Sequence, residues 1–120
     1  VPAYSLDESF RHAPSNGGLG FVISLNFYDI YYAGDSQETP EMMRLQPDIA
    51  ILPIDGNGTL TVEQAADVAR RMRPRYAIPM NWGAEGISTS ATARDALRFK
   101  ELVAGRVEVI LPSDITTDSA

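Results

Sequence analysis

The sequence lacks cysteine and carries a single histidine among its 120 residues. The absence of cysteine excludes disulfides and any zinc or iron–sulfur site with thiolate ligands, and it favours a reducing, cytoplasmic setting. The sequence also lacks a run of about 18 apolar residues, and its first residues lack the basic and apolar regions of a signal peptide. These absences predict a protein with no membrane partner.

Positive charge is scarce as well. Ten Lys and Arg residues stand against 16 Asp and Glu residues, which gives a formal net charge of −6. Binding to a phosphate backbone needs clustered cations, and most of the cations in this sequence are scattered. Nucleic acid is therefore not an expected partner.

The apolar content is that of a globular protein. Hydrophobic residues make up 44% of the sequence, which suits one domain of this length. We expect a single domain over 1–120 with a flexible tail at 113–120. Val1 opens an extended VPAY segment, so a fragment of a longer chain is a second expectation.

Apolar periodicity predicts strands that alternate with helices. The first two strands form an antiparallel hairpin around Asn26, and the best-supported helix begins where Thr61 and Gln64 have the spacing of a capping box. The predicted strands cover 19–25, 27–33, 48–54, 76–80 and 106–112. The predicted helices cover 40–45, 62–73 and 93–104.

This order predicts an α/β fold: a mixed β-sheet, built from an N-terminal hairpin and βαβ units, with helices on one face. Right-handed crossovers between consecutive parallel strands tend to leave the helices on one side. The strands at 48–54 and 107–111 nevertheless carry apolar residues in both alternations, as in strands buried on both faces. The second face therefore needs a cover.

Four short motifs in a fixed order resemble a known family. They are GDS at 34–36, PIDG at 53–56, T-x-E-x-A-A at 61–66 and P-M-x-x-G at 79–83. In this order they resemble the C-terminal half of the metallo-β-lactamase superfamily, in the branch of metal-dependent hydrolases that includes ascorbate-phosphate lactonase-like enzymes. The resemblance implies half of an αββα sandwich, whose open sheet face packs on the other half.

The resemblance assigns a role to the acidic residue that follows the second strand. Asp35 matches the aspartate that bridges two metal ions, usually zinc, and Ser36 takes the place beside it in the substrate cleft. A carboxylate suits this role because its two oxygens can span two cations. The implied cofactor is zinc or another divalent metal.

Two departures from the family pattern weaken that assignment. Asn81 stands where the family has its last histidine ligand, and an amide oxygen is a much weaker zinc ligand than an imidazole nitrogen. The H-x-H-x-D-H motif that supplies most ligands is absent from the sequence. His12, in FRHAP, resembles a segment of the substrate-side loop and is the one candidate catalytic residue. The isolated chain is therefore expected to be inactive. Its metal site is expected to be degenerate, or to bind no metal.

Each candidate residue also has a purely structural interpretation. Asp35 is compatible with a strand-end cap, Asn81 with a loop residue bonded to backbone, and His12 with an exposed loop position. Trp82, beside Asn81, is placed either to stack on a ligand in the cleft or to fill an interface. Asp55 is favoured as a turn residue.

A basic cluster lies at the C-terminal end of the helix predicted over 62–73. Its positive charges interact favourably with the negative end of the helix dipole. A solvated face is a better interpretation of this cluster than an anion-binding site. The members of the cluster are Arg70, Arg71, Arg73 and Arg75.

Two functional hypotheses remain open. In the first, the chain is part of a metal-dependent hydrolase of esters, lactones or phosphoesters, and a separate N-terminal half-domain completes its site. In the second, it is a non-catalytic interaction or scaffold module that buries its open sheet face in a homodimer through one self-complementary patch.

Overall fold

A five-stranded mixed sheet forms the centre of the protein. The computed structural model describes residues 1–3, 19–83 and 91–111. The strands lie in chain order: β1 Phe21–Leu25, β2 Tyr28–Tyr32, β3 Ile49–Pro53, β4 Tyr76–Met80 and β5 Glu108–Val109. β1 and β2 are antiparallel, and every later pairing is parallel. The α/β class and the mixed sheet predicted from the sequence are confirmed.

The hairpin turns at Asn26 and Phe27, both of which have positive φ. Two positive-φ residues are the mark of a type I′ turn, whose twist matches that of the flanking strands. Phe27 takes this conformation although it has a bulky side chain, and that side chain is fully exposed. The turn therefore falls where the sequence predicts it, without the Asn-Gly pair that usually signals it.

Two α-helices connect the parallel strands. α1 covers Val62–Met72 and α2 covers Ala93–Leu102. Each begins with a reciprocal capping box, formed by Thr61 with Gln64 and by Thr92 with Asp95. The predicted box at Thr61 is confirmed, and α1 ends at Arg73 in the left-handed conformation.

The connection between β2 and β3 is shorter than predicted. Only a 3-10 turn over Met42–Arg44 forms there, and Glu41, not Pro40, precedes its first residue. Pro47 disfavours the helical conformation at the residue before it. The segment between Pro40 and Pro47 is therefore too short for an α-helix. Met42 is nevertheless buried in the core, so this segment still packs on the sheet.

The core lies between the sheet and the helices. Leu52 on β3, Ala77 on β4 and Phe99 on α2 are all fully buried in one cluster. Burying a Leu or Phe side chain contributes roughly 1.5–3 kcal/mol. Tyr31 on β2 shares this cluster, and within the described part of the chain its buried hydroxyl has no hydrogen-bond partner. Desolvation by burial raises the pKa of Tyr31 to about 12.

The opposite face of the sheet is apolar and only partly covered. Cross-strand partners on this face include Phe21 with Tyr32, Ile30 with Ile49 and Ile51 with Ile78. Their neighbours on the helix-covered face, such as Ala50 and Leu52, are fully buried, whereas Phe21 is 54% exposed. We call this surface the open face. It comprises Phe21, Ile23, Leu25, Tyr28, Ile30, Tyr32, Ile49, Ile51, Tyr76 and Ile78.

The remaining expectations concern the chain ends and membrane contact. The tail predicted at 113–120 lies outside the described residues. β5 has only two residues, fewer than the strand predicted over 106–112. No helix in the described part of the chain is long and apolar enough to cross a membrane.

Candidate functional site

Three consecutive strands end in polar residues at the same edge of the sheet. Asp35 follows β2, Asp55 follows β3 and Asn81 follows β4. Because these strands are parallel, their carboxyl ends meet at one edge, which is where open α/β sheets usually bind ligands. The topology therefore gathers side chains that lie 46 residues apart in the sequence.

The side-chain amide of Asn81 joins the two carboxylates. Its Nδ2 donates to Oδ1 of Asp35 at 2.8 Å and to Oδ1 of Asp55 at 3.1 Å. Asn81 has a φ of +66°, a left-handed conformation that asparagine tolerates better than most residues. A neutral donor between two anions reduces their repulsion. The three residues form one hydrogen-bonded cluster, which we call the carboxylate cluster.

The loop after β3 orients Asp55. Thr59, which is buried, donates its hydroxyl to Oδ1 of Asp55 at 2.6 Å. Gly56 has a φ of +71°, and its amide donates to the carbonyl of Leu60 at 2.9 Å. A side chain at this position would be strained and would press within 3.2 Å of Thr61. The loop is therefore a tight turn that also holds a carboxylate at the site.

The backbone around Asp35 is equally constrained. Gly34 has a φ of +72°, and a Cβ there would approach the carbonyl oxygen of Leu19 to 3.1 Å. Ser36 is fully buried and donates its hydroxyl to the carbonyl of Gln37 at 2.8 Å. The carbonyl of Ser36 in turn accepts from the amide of Leu60 at 3.1 Å. These contacts fix Asp35 at the rim of the sheet, and the predicted cleft role of Ser36 stays a prediction.

Trp82 lies next to the carboxylate cluster but bonds to the chain itself. Its Nε1 donates to the carbonyl of Pro79 at 2.9 Å, and its half-buried indole packs against the core. Ala91 then pairs with this segment, since its amide donates to the carbonyl of Asn81 at 2.9 Å. The indole is thus held beside the cluster, and its predicted contact with substrate stays a prediction.

The carboxylate cluster offers an incomplete donor set for zinc. Asp35 and Asp55 supply carboxylate oxygens, but Asn81 turns its N–H group, which has no lone pair to give, toward them. Among residues 1–3, 19–83 and 91–111, no group of three or more His, Cys, Asp or Glu side chains is arranged to hold a metal ion. His12 lies outside the described residues. The described residues therefore do not by themselves fit the family's two-metal site.

Asp55 is the member of the site that sequence reasoning missed. The sequence favours Asp55 as a turn residue, which it is, but its carboxylate also contacts Asn81. The signal was its place directly after a buried parallel strand next to the one that ends at Asp35. The sequence leaves Asn81 either at the metal-ligand position or as a loop residue bonded to backbone, and in the structure its side chain donates to two carboxylates.

Comparisons with known proteins agree with the motif order. The model of the beta-lactamase superfamily domain matches residues 3–81. A UPF0173 metal-dependent hydrolase of Thermococcus onnurineus is 32% identical over 92% of this chain and 50% of its own length. A homologue of the same description from Thermoplasma acidophilum is 37% identical over 88% of this chain and 47% of its own length.

A solved structure has the same fold. The metallo hydrolase Igni18 from Ignicoccus hospitalis matches with a TM-score of 0.72 and 26% identity, over 93% of this chain and 47% of that chain. The present chain thus spans about half the length of the curated relatives it matches.

Proposed function

This chain belongs to the metallo-β-lactamase superfamily of metal-dependent hydrolases, and on that premise we propose that it forms an incomplete hydrolase half-domain, inactive alone. It supplies the carboxylates Asp35 and Asp55, while the remaining ligands come from another segment or polypeptide. The substrate class is an ester, lactone or phosphoester. Asp35 is the proposed bridging ligand.

One observation carries this proposal. The amide nitrogen of Asn81 lies within hydrogen-bond distance of both carboxylates, 2.8 Å from Asp35 and 3.1 Å from Asp55. Its hydrogen bonds thereby reduce the repulsion between two carboxylates whose charge a cation would otherwise neutralise. A site built in this way is stable without metal and lacks a nitrogen ligand at the position where the family has one.

The composition of the whole chain supports the same conclusion. The sequence contains one histidine and no cysteine, so nitrogen and sulfur ligands for zinc are nearly absent. If a metal binds, the oxygen donors favour a hard divalent cation over zinc. The absence of cysteine also supports our proposal of a cytoplasmic setting.

The open face supports a second candidate, a non-catalytic homodimeric module. Phe21, Ile23 and Leu25 project from β1 onto this face, each about half exposed. An apolar surface this extensive usually marks an interaction site. If the chain is part of a hydrolase, a complementary half-domain covers the open face. If it is a homodimeric module, a second copy covers the open face through a self-complementary patch.

Solution mass and metal content together separate the two candidates. The purified chain is measured by light scattering, and its metal is quantified after dialysis with and without added divalent cations. A metal-free dimer that hydrolyses neither esters nor phosphoesters supports the module. Hydrolysis that appears only when a complementary half-domain is added supports the incomplete enzyme. Metal-dependent hydrolysis by the chain alone contradicts both.

A further inference from the structure

A second polar site lies far from the carboxylate cluster. A pocket of about 510 Å³ opens beside the C-terminal end of α1. Of the residues that the structure describes, four arginines line it, together with one acidic and one amide side chain: Arg70, Arg71, Arg73, Arg106, Asp67 and Gln46. Arg106 comes from the α2–β5 loop, so the pocket assembles from segments that the sequence keeps apart.

The pocket lies at the opposite edge of the sheet. Gln46 precedes β3, Arg73 precedes β4 and Arg106 precedes β5, each by two or three residues. The amino ends of parallel strands share one edge, whereas Asp35, Asp55 and Asn81 occupy the carboxyl ends. The two sites are therefore separate, and an inference about the pocket does not depend on the proposed function.

Two of the four guanidinium groups are held in place by the protein. Arg70 donates from Nη1 to the carbonyl of Leu102 at 2.9 Å, which ties α1 to the end of α2. Arg71 donates from Nε to Asp67 at 3.0 Å and also contacts Glu38. These contacts orient both side chains along the pocket wall.

The other two guanidinium groups, those of Arg73 and Arg106, have no such partner among the described residues. In the described part of the chain, the side chains of Arg73 and Arg106 make no hydrogen bond or ion pair. Arg75, which sequence reasoning grouped with this cluster, instead stacks over Tyr76 and bonds to Tyr28. Arg106 replaces it in the pocket.

This concentration of charge is unusual for the molecule. Four of the ten cations in a chain of net charge −6 line one pocket, against a single carboxylate among the described lining residues. Like charges repel, and a bound anion removes that cost. The guanidinium fork matches the oxygens of phosphate, and a dianion balances two unpaired arginines better than a single carboxylate does.

We propose that this pocket binds a soluble phosphate monoester or diphosphate, with Arg73 and Arg106 as its principal ligands. Arg70 and Arg71 supply further positive charge from the wall. The pocket volume exceeds that of one phosphate group and lies in the range of small-molecule sites, so it also accommodates an organic portion.

Calorimetric titration with pyrophosphate at low ionic strength tests this assignment. The double variant R73Q/R106Q should bind at least about tenfold more weakly, since charged hydrogen bonds contribute substantially to affinity. R73K/R106K keeps the charge but loses the planar guanidinium fork. Its affinity for pyrophosphate should lie between that of R73Q/R106Q and that of the native chain. The matched control R44Q/R94Q removes two exposed arginines outside the pocket and should bind within about threefold of the native chain.

Three results would overturn the assignment. One is the absence of saturable pyrophosphate binding to the native chain. Another is an equal loss of pyrophosphate affinity in R73Q/R106Q and R44Q/R94Q, which would indicate that binding depends on diffuse surface charge. The third is tighter binding of citrate than of pyrophosphate, which would indicate a carboxylate site. Circular dichroism of each variant checks that α1 and α2 are intact, and D35N should leave pyrophosphate binding unchanged.

Discussion

The side-chain nitrogen of Asn81 lies 2.8 Å from a carboxylate oxygen of Asp35, although the two residues are 46 positions apart. They follow β4 and β2, and the strand between them ends at Asp55, which the same nitrogen also contacts. An N–H donor thus lies between two carboxylates at the site where we propose that the hydrolase fold would hold a cation. This contact is the basis of our proposal that the site is stable without metal.

Replacing Asn81 with Asp should turn this donor into a third carboxylate. Without metal, we expect the free energy of unfolding to fall by about 1 kcal/mol, because a hydrogen bond is lost and like charges meet at a partly exposed site. Added Mn²⁺ should then raise the melting temperature of N81D more than that of the native chain. Asn81→Ser, which removes the amide without adding charge, is the control. An N81D variant as stable as the native chain, and indifferent to Mn²⁺, would refute this account of the cluster.

Replacing Asn81 with His restores the family residue but should not restore hydrolysis. The chain would still have only two histidines, too few for a two-metal site. Assays with an activated ester and a phosphodiester, each with Zn²⁺ or Mn²⁺, should give native background rates. Metal-dependent turnover that disappears in N81H/D35N would show that the chain supplies enough ligands by itself.

Tyr31 should make stability fall at alkaline pH. Its pKa rises to about 12 in the folded protein, from 10.0 for an ordinary tyrosine, because burial disfavours the phenolate. The unfolded chain therefore loses this proton first, and the contribution of Tyr31 is complete below pH 10 and declines as pH rises toward 12. The total loss is about 3 kcal/mol.

The variant Tyr31→Phe isolates this effect. It removes a buried hydroxyl that lacks a partner in the described part of the chain, so stability at pH 7 should be unchanged or higher. Urea unfolding at pH 7, 10 and 11 should show a shallower alkaline decline for Y31F than for the native chain. Parallel declines would mean that Tyr31 does not titrate as its burial implies.

Charges on the open face should weaken self-association if a second copy covers it. Ile23→Lys places an unpaired charge at the centre of β1 on this face, and the dimer dissociation constant should rise about tenfold or more. Val22→Lys is the matched control, since Val22 is similarly exposed but projects from the other side of the same strand. Light scattering over a range of concentrations gives both constants. Equal effects of the two lysines would place the interface elsewhere.

The sequence predicted the parts of the fold that local chemistry specifies. Thr61 and Gln64 form the expected capping box, and β4 covers the five residues that its apolar run indicated. β5 was overestimated because apolar residues continue beyond Val109, whereas only Glu108 and Val109 pair with β4. The helix predicted over 40–45 is only a 3-10 turn over Met42–Arg44, because proline and glutamate signal a helix start without fixing its length.

The two sites were harder to predict because they depend on long-range register. Asp55 is a turn residue by local criteria, and only its parallel pairing beside β2 brings it to Asn81. Arg106 likewise joins Arg73 only because their loops precede neighbouring strands. No local pattern in a single sequence indicates which loops will meet.

The most direct test of the central claim is calorimetric titration of Zn²⁺ and Mn²⁺ into the chelator-treated chain, with D35N as the control. The hydrogen-bonded cluster of Asp35, Asn81 and Asp55 predicts no stoichiometric metal site, and the same weak heats for the native chain and for D35N. Stoichiometric binding that is lost in D35N would contradict the claim, since it would show that these carboxylates hold a metal without further partners.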